Sequence, residues 1–198
     1  MAGWIVLASL CVCILQGLCP VTSLPNGAPA SACADMMPRH SGVNPQPSPV
    51  PYTITVSSRT FTADQPVKVT IKGPDYKGVL LQARMGNSYI ALGSWKLPPA
   101  DTKVLQCSGN PNGAMTHSNI NIKNNSTVYT WIPHTNSNMV YFMATVAQER
   151  TVYWLNVKSD MLTRKDLSLD AGARPVTWGT SGVLLIIASL FLTILCSS

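Results

Sequence analysis

The chain has few charged residues, few histidines and no recognisable catalytic motif. Charged residues make up 11% of its 198 positions, and no run of Lys or Arg is longer than two. The sequence therefore gives no sign of a nucleic-acid-binding surface. The three histidines, His40, His117 and His134, lack metal-ligand spacing, and we expect each at the surface or in a hydrogen bond. A GxSxG motif is also absent. We predict no enzyme activity and no cofactor.

Neither end of the chain carries an apolar run long enough for a standard membrane-spanning helix, which needs about 20 residues. Residues 4–15 (WIVLASLCVCIL) have the length of a signal-peptide core. The compact residues Val21 and Ser23 place the cut before Leu24, so residues 1–23 are the expected signal peptide. A cut after 28–30 (APA) is an alternative, and an uncleaved anchor helix is the alternative to a signal peptide.

The C-terminal residues 183–198 (VLLIIASLFLTILCSS) carry no charge. Small residues at 170–173 and a spacer at 174–182 precede them, which is the pattern of a GPI-anchor signal. We expect the lipid at Asp170 or Ala171, with 159–182 as stalk and spacer. A short single-pass helix is the alternative reading of this tail.

Two of the six cysteines remain once both ends are removed. Cys33 and Cys107 then allow one pairing, which an oxidising secretory compartment favours. A metal site is the competing explanation, but no CxxC motif supports it. The processed part, 24–170, has thirteen basic and eight acidic residues, a charge of +5. This charge serves solubility or, alternatively, attraction to anionic glycans or bacterial surfaces.

Alternation of apolar and polar residues predicts β-strands in the middle of the chain. Val67, Val69 and Ile71 alternate with polar residues and give the clearest half-buried strand. Other strands are expected at residues 54–56, 79–84, 127–132, 139–148 and 151–158. Trp131 and Trp154 fall in expected strands, so core packing with a hydrogen-bonded indole N–H is predicted; an aromatic ligand shelf is the alternative.

Turn signals separate these strands. Turns or loops are expected at residues 72–75, 110–113 and 134–138. Five prolines between 34 and 51 indicate an extended segment there. No stretch shows sustained helical periodicity, so the pattern indicates an antiparallel β-sandwich.

Asn124 and Asn125 begin two overlapping N-glycosylation sequons in residues 124–127 (NNST). We expect only one to be used, because two adjacent glycans would clash. Asn125 is favoured since threonine stands two residues after it. A glycan there would mark a surface loop before the next strand.

Short blocks of this sequence resemble the reeler domain family. The blocks are residues 24–29 (LPNGAP), 32–33 (AC), 37–42 (MPRHSG), 45–46 (PQ), 78–84 (GVLLQAR), 93–95 (GSW), 105–107 (LQC), 116–118 (THS), 129–133 (YTWIP) and 142–146 (FMATV). The resemblance covers residues 24–158 and implies an all-β fold, an antiparallel immunoglobulin-like β-sandwich. It also implies a disulfide between Cys33 and Cys107. Longer relatives carry a second disulfide, for which this chain has no cysteines.

The resemblance extends to two groups of proteins with different functions. In ferric-chelate reductase-like proteins the domain precedes a DOMON domain and a membrane cytochrome, whereas small insect proteins described as defence proteins contain the domain alone. The chain has no room for the additional modules, so we do not expect reductase activity. We expect a non-catalytic adhesion or recognition protein, tethered outside the plasma membrane, with an extracellular protein or glycan as partner. An antimicrobial effector and a truncated redox protein are the alternatives.

Overall fold

The computed structural model describes residues 24–47, 49–134 and 137–165. Alternation of apolar and polar residues accompanies a strand at β3, Val67–Lys72. In β3 the valines and Ile71 are buried while both lysines are exposed. The expected signal peptide, the expected lipid sites Asp170 and Ala171, and the apolar tail lie outside the described residues. The full set of strands is β1 Thr53–Val56, β2 Thr60–Phe61, β3 Val67–Lys72, β4 Gly78–Arg84, β5 Ser94–Lys96, β6 Thr102–Cys107, β7 Asn110–His117, β8 Val128–Ile132, β9 Met139–Glu149, β10 Val152–Lys158 and β11 Leu162–Arg164.

The strands form two sheets. The smaller sheet has the order β1-β3-β8-β5, and the larger has the order β2-β11-β9-β4-β7-β6, with β10 also paired to β9. Neighbouring strands run antiparallel except for β2 and β11, which are parallel. The expected all-β sandwich is confirmed, with this one parallel pair. Strand β11 lies beyond the expected domain end at Lys158 and pairs with the first residues of β9.

Aromatic side chains fill the space between the sheets. Trp95 and Trp131 are paired across β5 and β8, and both are fully buried. Phe142 of the opposite sheet meets their rings edge-on, with centroids 5.7 and 5.2 Å away. The indole N–H of Trp131 donates to the Leu92 carbonyl at 2.8 Å, and Trp154 packs against Tyr52 with ring centroids 5.4 Å apart. Core packing of Trp131 and Trp154 is therefore confirmed.

Strands β4 and β9 are buried on both faces. Val79, Leu81 and Ala83 face the other sheet and belong to the main core. On the opposite face, Leu80 of β4 joins a second cluster with Met143 of β9. Residues 24–38, which we call the N-terminal strap, cover this outer face and contribute Ala32 and Met36 to the second cluster. Burial on both sides explains why these strands have nearly continuous apolar sequences.

Residues 110–113, predicted to be a loop, belong to strand β7 instead. The turn lies one step earlier, at Ser108 and Gly109, whose φ angles are +55° and +76°. Two successive positive φ angles are typical of the tight turn that joins adjacent antiparallel strands. A register irregularity in β6 before Cys107 accommodates this end of the hairpin. The prediction was wrong because Asn-Pro-Asn-Gly is the more typical turn sequence, whereas the chain turns at the preceding Ser108 and Gly109.

Candidate functional site

A disulfide fastens the N-terminal strap to the larger sheet. Cys33 of the strap is bonded to Cys107 at the end of β6, and their Cα atoms are 5.6 Å apart. The predicted pairing is therefore confirmed. Gly113 faces this bond, and a Cβ atom at that position would lie 2.5 Å from the Cys107 carbonyl oxygen. Any other residue at position 113 would clash with Cys107, one of the two disulfide cysteines.

Buried polar side chains of the sheet hold the strap by its carbonyl groups. Arg84 donates to the carbonyls of Cys33 at 2.6 Å and Ala34 at 2.9 Å, and Gln82 donates to the Cys33 carbonyl at 3.0 Å. The Thr145 hydroxyl donates to the Met36 carbonyl at 2.6 Å. The bonds to Cys33 and Met36 satisfy carbonyls of buried strap residues. Sequence reasoning missed this role, although Gln82 and Arg84 alternate with the apolar residues of a strand predicted to be buried.

A groove runs between the N-terminal strap and the larger sheet. Its cavity has a volume of about 220 Å³. Apolar side chains form most of its walls, with Ala28 and Met36 on the strap side and Leu80 and Ala147 on the sheet side. Ile120, which is 60% exposed, adds an apolar edge. A concave, mostly apolar surface with few polar groups is characteristic of binding sites. We call it the strap groove.

His117 connects the strap to the sheet inside the strap groove. Its Nε2 atom lies 3.1 Å from the Leu24 carbonyl oxygen, and the Val79 N–H donates to its Nδ1 atom at 3.2 Å. A neutral ring with the proton on Nε2 satisfies both contacts, since Nε2–H donates and Nδ1 accepts. Burial lowers the pKa of His117, and the positive charges of Lys123 and Lys103 lower this pKa further, against hydrogen bonds that raise it.

The edge of the strap groove carries charged and polar groups. Lys77 and Glu149 pair across it at 2.6 Å. Arg150 donates from Nη2 to the carbonyl of Ser41, the residue that follows His40, at 3.4 Å. The Nδ1 atom of His40 and the Nε atom of Arg150 are buried without a hydrogen-bond partner. His40 as a residue is partly exposed, whereas His134 pairs with Asp64 at 2.9 Å.

Acidification is expected to destabilise the fold through His117. A histidine with a lowered folded-state pKa contributes stability that is complete above its unfolded pKa of about 6.5 and is lost as the pH falls through the folded pKa. We therefore expect the free energy of unfolding to decrease between pH 7 and pH 5. In His117→Gln, whose side chain does not titrate, this decrease should be smaller. Urea denaturation at each pH measures the effect.

The matched control for this prediction is His134→Gln. His134 is 42% exposed and contacts Asp64 rather than the strap. The His134 variant should keep the pH dependence of the unchanged chain more closely than the His117 variant does. Equal pH dependence in the His117→Gln chain and the unchanged chain would rule out a contribution from the buried ring.

The two sequon asparagines lie together on an exposed turn. Both Asn124 and Asn125 are exposed, directly before β8. Asn125 accepts a hydrogen bond from the Gly73 N–H through Oδ1 at 2.9 Å. That bond engages Oδ1 and not Nδ2, the atom to which an N-linked glycan is attached. Glycosylation at Asn125 or Asn124 stays a prediction, as does lipid attachment at Asp170 or Ala171.

Residues 24–47, 49–134 and 137–165 contain no cluster of three or more His, Cys, Asp or Glu side chains that could hold a metal ion. In these same ranges no helix combines the length and hydropathy that crossing a bilayer requires.

The fold and the site define a class of protein, a β-sandwich with a disulfide-linked N-terminal strap. The family model described as "Reeler domain" matches residues 31–169. This match covers most of the chain, and the chain therefore belongs to the reeler domain family. The resemblance noted in the sequence blocks is confirmed.

The chain is similar to insect proteins over most of their length. It is 34% identical to "Putative defense protein 3" of Antheraea mylitta, over 77% of this chain and 93% of that protein. It is 39% identical to "Putative defense protein Hdd11" of Hyphantria cunea, over 68% of this chain and 84% of that protein. It is also 31% identical to "Ferric-chelate reductase 1" of Mus musculus, but the match spans 82% of this chain and 27% of that protein.

Among solved structures, the chain is similar to the human F-spondin reeler domain. The two share 14% sequence identity with a TM-score of 0.49, and the alignment covers 64% of this chain and 96% of the F-spondin chain.

Proposed function

We propose that this chain is a non-catalytic recognition protein that acts outside the cell and binds its partner in the strap groove. The observation that carries the proposal is the groove itself, a cavity of about 220 Å³ with apolar walls and a charged edge. One of its walls is a segment fixed by a disulfide and by four hydrogen bonds from Gln82, Arg84 and Thr145. A wall held in this way keeps the site formed before the partner arrives, which reduces the entropy lost on binding.

The cellular location forms part of the same proposal. A disulfide across a sequence separation of 74 residues suits an oxidising compartment. The apolar segment 4–15 supports export, and the small residues at 170–173 with the apolar tail support a lipid anchor. We therefore place the working protein on the outer face of the plasma membrane.

The nature of the groove narrows the range of partners. A bare glycan presents hydroxyl groups that need many hydrogen-bond partners when they are buried, and the walls formed by Ala28, Met36 and Leu80 offer none from their side chains. A partner that presents an apolar group fits these walls better. The protein or glycan expected as ligand would then have to carry such a group.

Groove-dependent binding tests the proposal. The full chain is produced in animal cells, released with a phosphatidylinositol-specific phospholipase or, failing release, with detergent, and applied to a panel of cell and bacterial surfaces. We expect binding to at least one surface and a loss of at least about tenfold in affinity, about 1.4 kcal/mol, for Ala147→Phe, which fills the groove. Thr55→Phe, on the exposed face of β1, is the matched control and should bind like the unchanged chain.

A defence role is the second candidate. It is favoured by the names of the insect relatives and by the charge of +5 on the processed chain. In the same experiment, salt-sensitive killing of bacteria at micromolar protein would favour this role, because charge-driven attraction weakens as ionic strength rises. Binding that the Ala147 and Thr55 variants retain equally would contradict recognition through the groove.

A further inference from the structure

The charged edge of the strap groove contains two nitrogen atoms whose hydrogen-bonding capacity is unused. His40 Nδ1 and Arg150 Nε each have less than 1 Å² of exposed surface and no partner. Both residues line the groove. Buried polar atoms nearly always have partners, so an unsatisfied pair at one site needs an explanation, and a bound ligand is one.

Among the described residues, no carboxylate forms an ion pair with Arg150. The neighbouring carboxylate of Glu149 is 2.6 Å from Lys77 Nζ, and the guanidinium has a single long hydrogen bond, from Nη2 to the Ser41 carbonyl at 3.4 Å. Arginine presents five N–H donors in a planar arrangement that matches carboxylate and phosphate groups. Its remaining donors are therefore suited to an anion at this edge.

His40 is placed to assist at the same position. Its ring meets Tyr153 edge-on, with centroids 5.8 Å apart. The Tyr153 hydroxyl in turn donates to the Val43 carbonyl at 3.0 Å. These contacts fix the segment that also carries Ser41, the partner of Arg150. The two unsatisfied nitrogen atoms thus belong to segments that contact each other through Arg150 and Ser41, and both residues line the same apolar cavity.

We propose that the strap groove binds a single-chain amphiphile, with its anionic head at Arg150 and His40 and its apolar chain along Met36, Leu80 and Ala147. This inference rests on the proposed function, since it assigns a ligand class to the same groove. The cavity, about 220 Å³, is smaller than the roughly 300–1,000 Å³ of pockets for drug-sized molecules. A short unbranched chain fits this volume, whereas a sterol or a two-chain lipid does not.

Direct binding of defined amphiphiles tests the inference. The purified full chain is titrated calorimetrically with decanoate, decyl phosphate, decyl maltoside and decyltrimethylammonium, below their micelle concentrations. We expect decanoate or decyl phosphate to bind at least about tenfold more tightly than the neutral and cationic compounds, and to weaken as salt is added. The first two compounds distinguish a carboxylate head from a phosphate head.

Variants separate the head contact from the chain contact. Arg150→Gln should remove the preference for an anionic head, whereas Arg59→Gln, an exposed arginine paired with Asp160, should keep it. Ala147→Phe should abolish binding of every compound. Ile120→Ser, at a position exposed enough to tolerate the change, should weaken binding of the chain without altering the head preference.

Two results would overturn the inference. One is equal affinity for the anionic, neutral and cationic compounds, and the other is an anion preference that survives in Arg150→Gln. If no amphiphile binds but surface binding still depends on Ala147, the ligand class is wrong and the proposed function stands. If neither amphiphile binding nor surface binding depends on Ala147, both proposals fail.

Discussion

Replacing both Cys33 and Cys107 by alanine should lower the free energy of unfolding by about 2–5 kcal/mol. The two residues are 74 positions apart, and closing a loop of that length removes roughly 4–5 kcal/mol of chain entropy from the unfolded state. The variant also releases the covalent hold on the strap, leaving it attached only by packing and by hydrogen bonds such as those of Gln82, Arg84 and His117. Urea denaturation followed by fluorescence and by circular dichroism measures the loss.

Reduction provides the control for the disulfide variant. A reducing agent should destabilise the unchanged chain by a similar amount and leave the double-alanine variant unaffected, because no other cysteine lies within the described residues. Groove binding should weaken along with stability, since the strap forms one wall of the groove. A double-alanine chain within about 0.5 kcal/mol of the unchanged chain, a typical surface-mutation effect, would contradict the expectation.

Trp131→Ala should cost about 3–5 kcal/mol of the free energy of unfolding, the range found for removing large aromatic side chains from cores. Trp131 is completely buried and contacts Phe61 and Phe142 edge-on, at centroid distances of 6.0 and 5.2 Å. Truncation removes these contacts and leaves a cavity between the sheets. Equilibrium denaturation in urea, checked for a single cooperative transition, gives the value.

A graded pair of variants distinguishes packing from hydrogen bonding at this position. Trp131→Phe keeps an aromatic ring but leaves the Leu92 carbonyl without its indole donor, so we expect an intermediate loss of about 1–3 kcal/mol. Ile122→Ala, at a side chain 61% exposed, should change the free energy by no more than about 0.5 kcal/mol. A loss at Trp131→Ala no greater than that at Ile122→Ala would mean that the core does not depend on this ring.

The parts of the fold that sequence could predict are those governed by local alternation. Strand β3 was predictable because Val67, Val69 and Ile71 face one side and polar residues face the other. The strands β5 and β6 were not, since Ser94–Lys96 is only three residues long and Thr102–Cys107 has mixed burial at an edge of the larger sheet. Short edge strands are defined by the neighbour they pair with, and that information lies elsewhere in the chain.

The strap groove could not be predicted for a related reason. Its walls come from residues 24–38, from β4 and from the end of β9, which are brought together only by the complete sandwich. Lys123 illustrates the same limit: it is nearly inaccessible, and its ammonium donates to the carbonyls of Lys77, Asn119 and Asn121 at 2.8 to 3.0 Å. Burial lowers its pKa. Nothing in the local sequence distinguishes this lysine from an exposed one.

Strand β9 links the strap groove to the opposite end of the larger sheet. Its first residue, Met139, is paired with Thr163 of β11, close to the last described residue, Lys165. Its other end carries Ala147 and Glu149, which line the groove. Eight residues of extended chain separate Met139 from Ala147, or about 26 Å at the usual rise per residue. A probe attached beside Thr163 would therefore sit about 26 Å along the strand from Ala147, well away from a ligand in the groove.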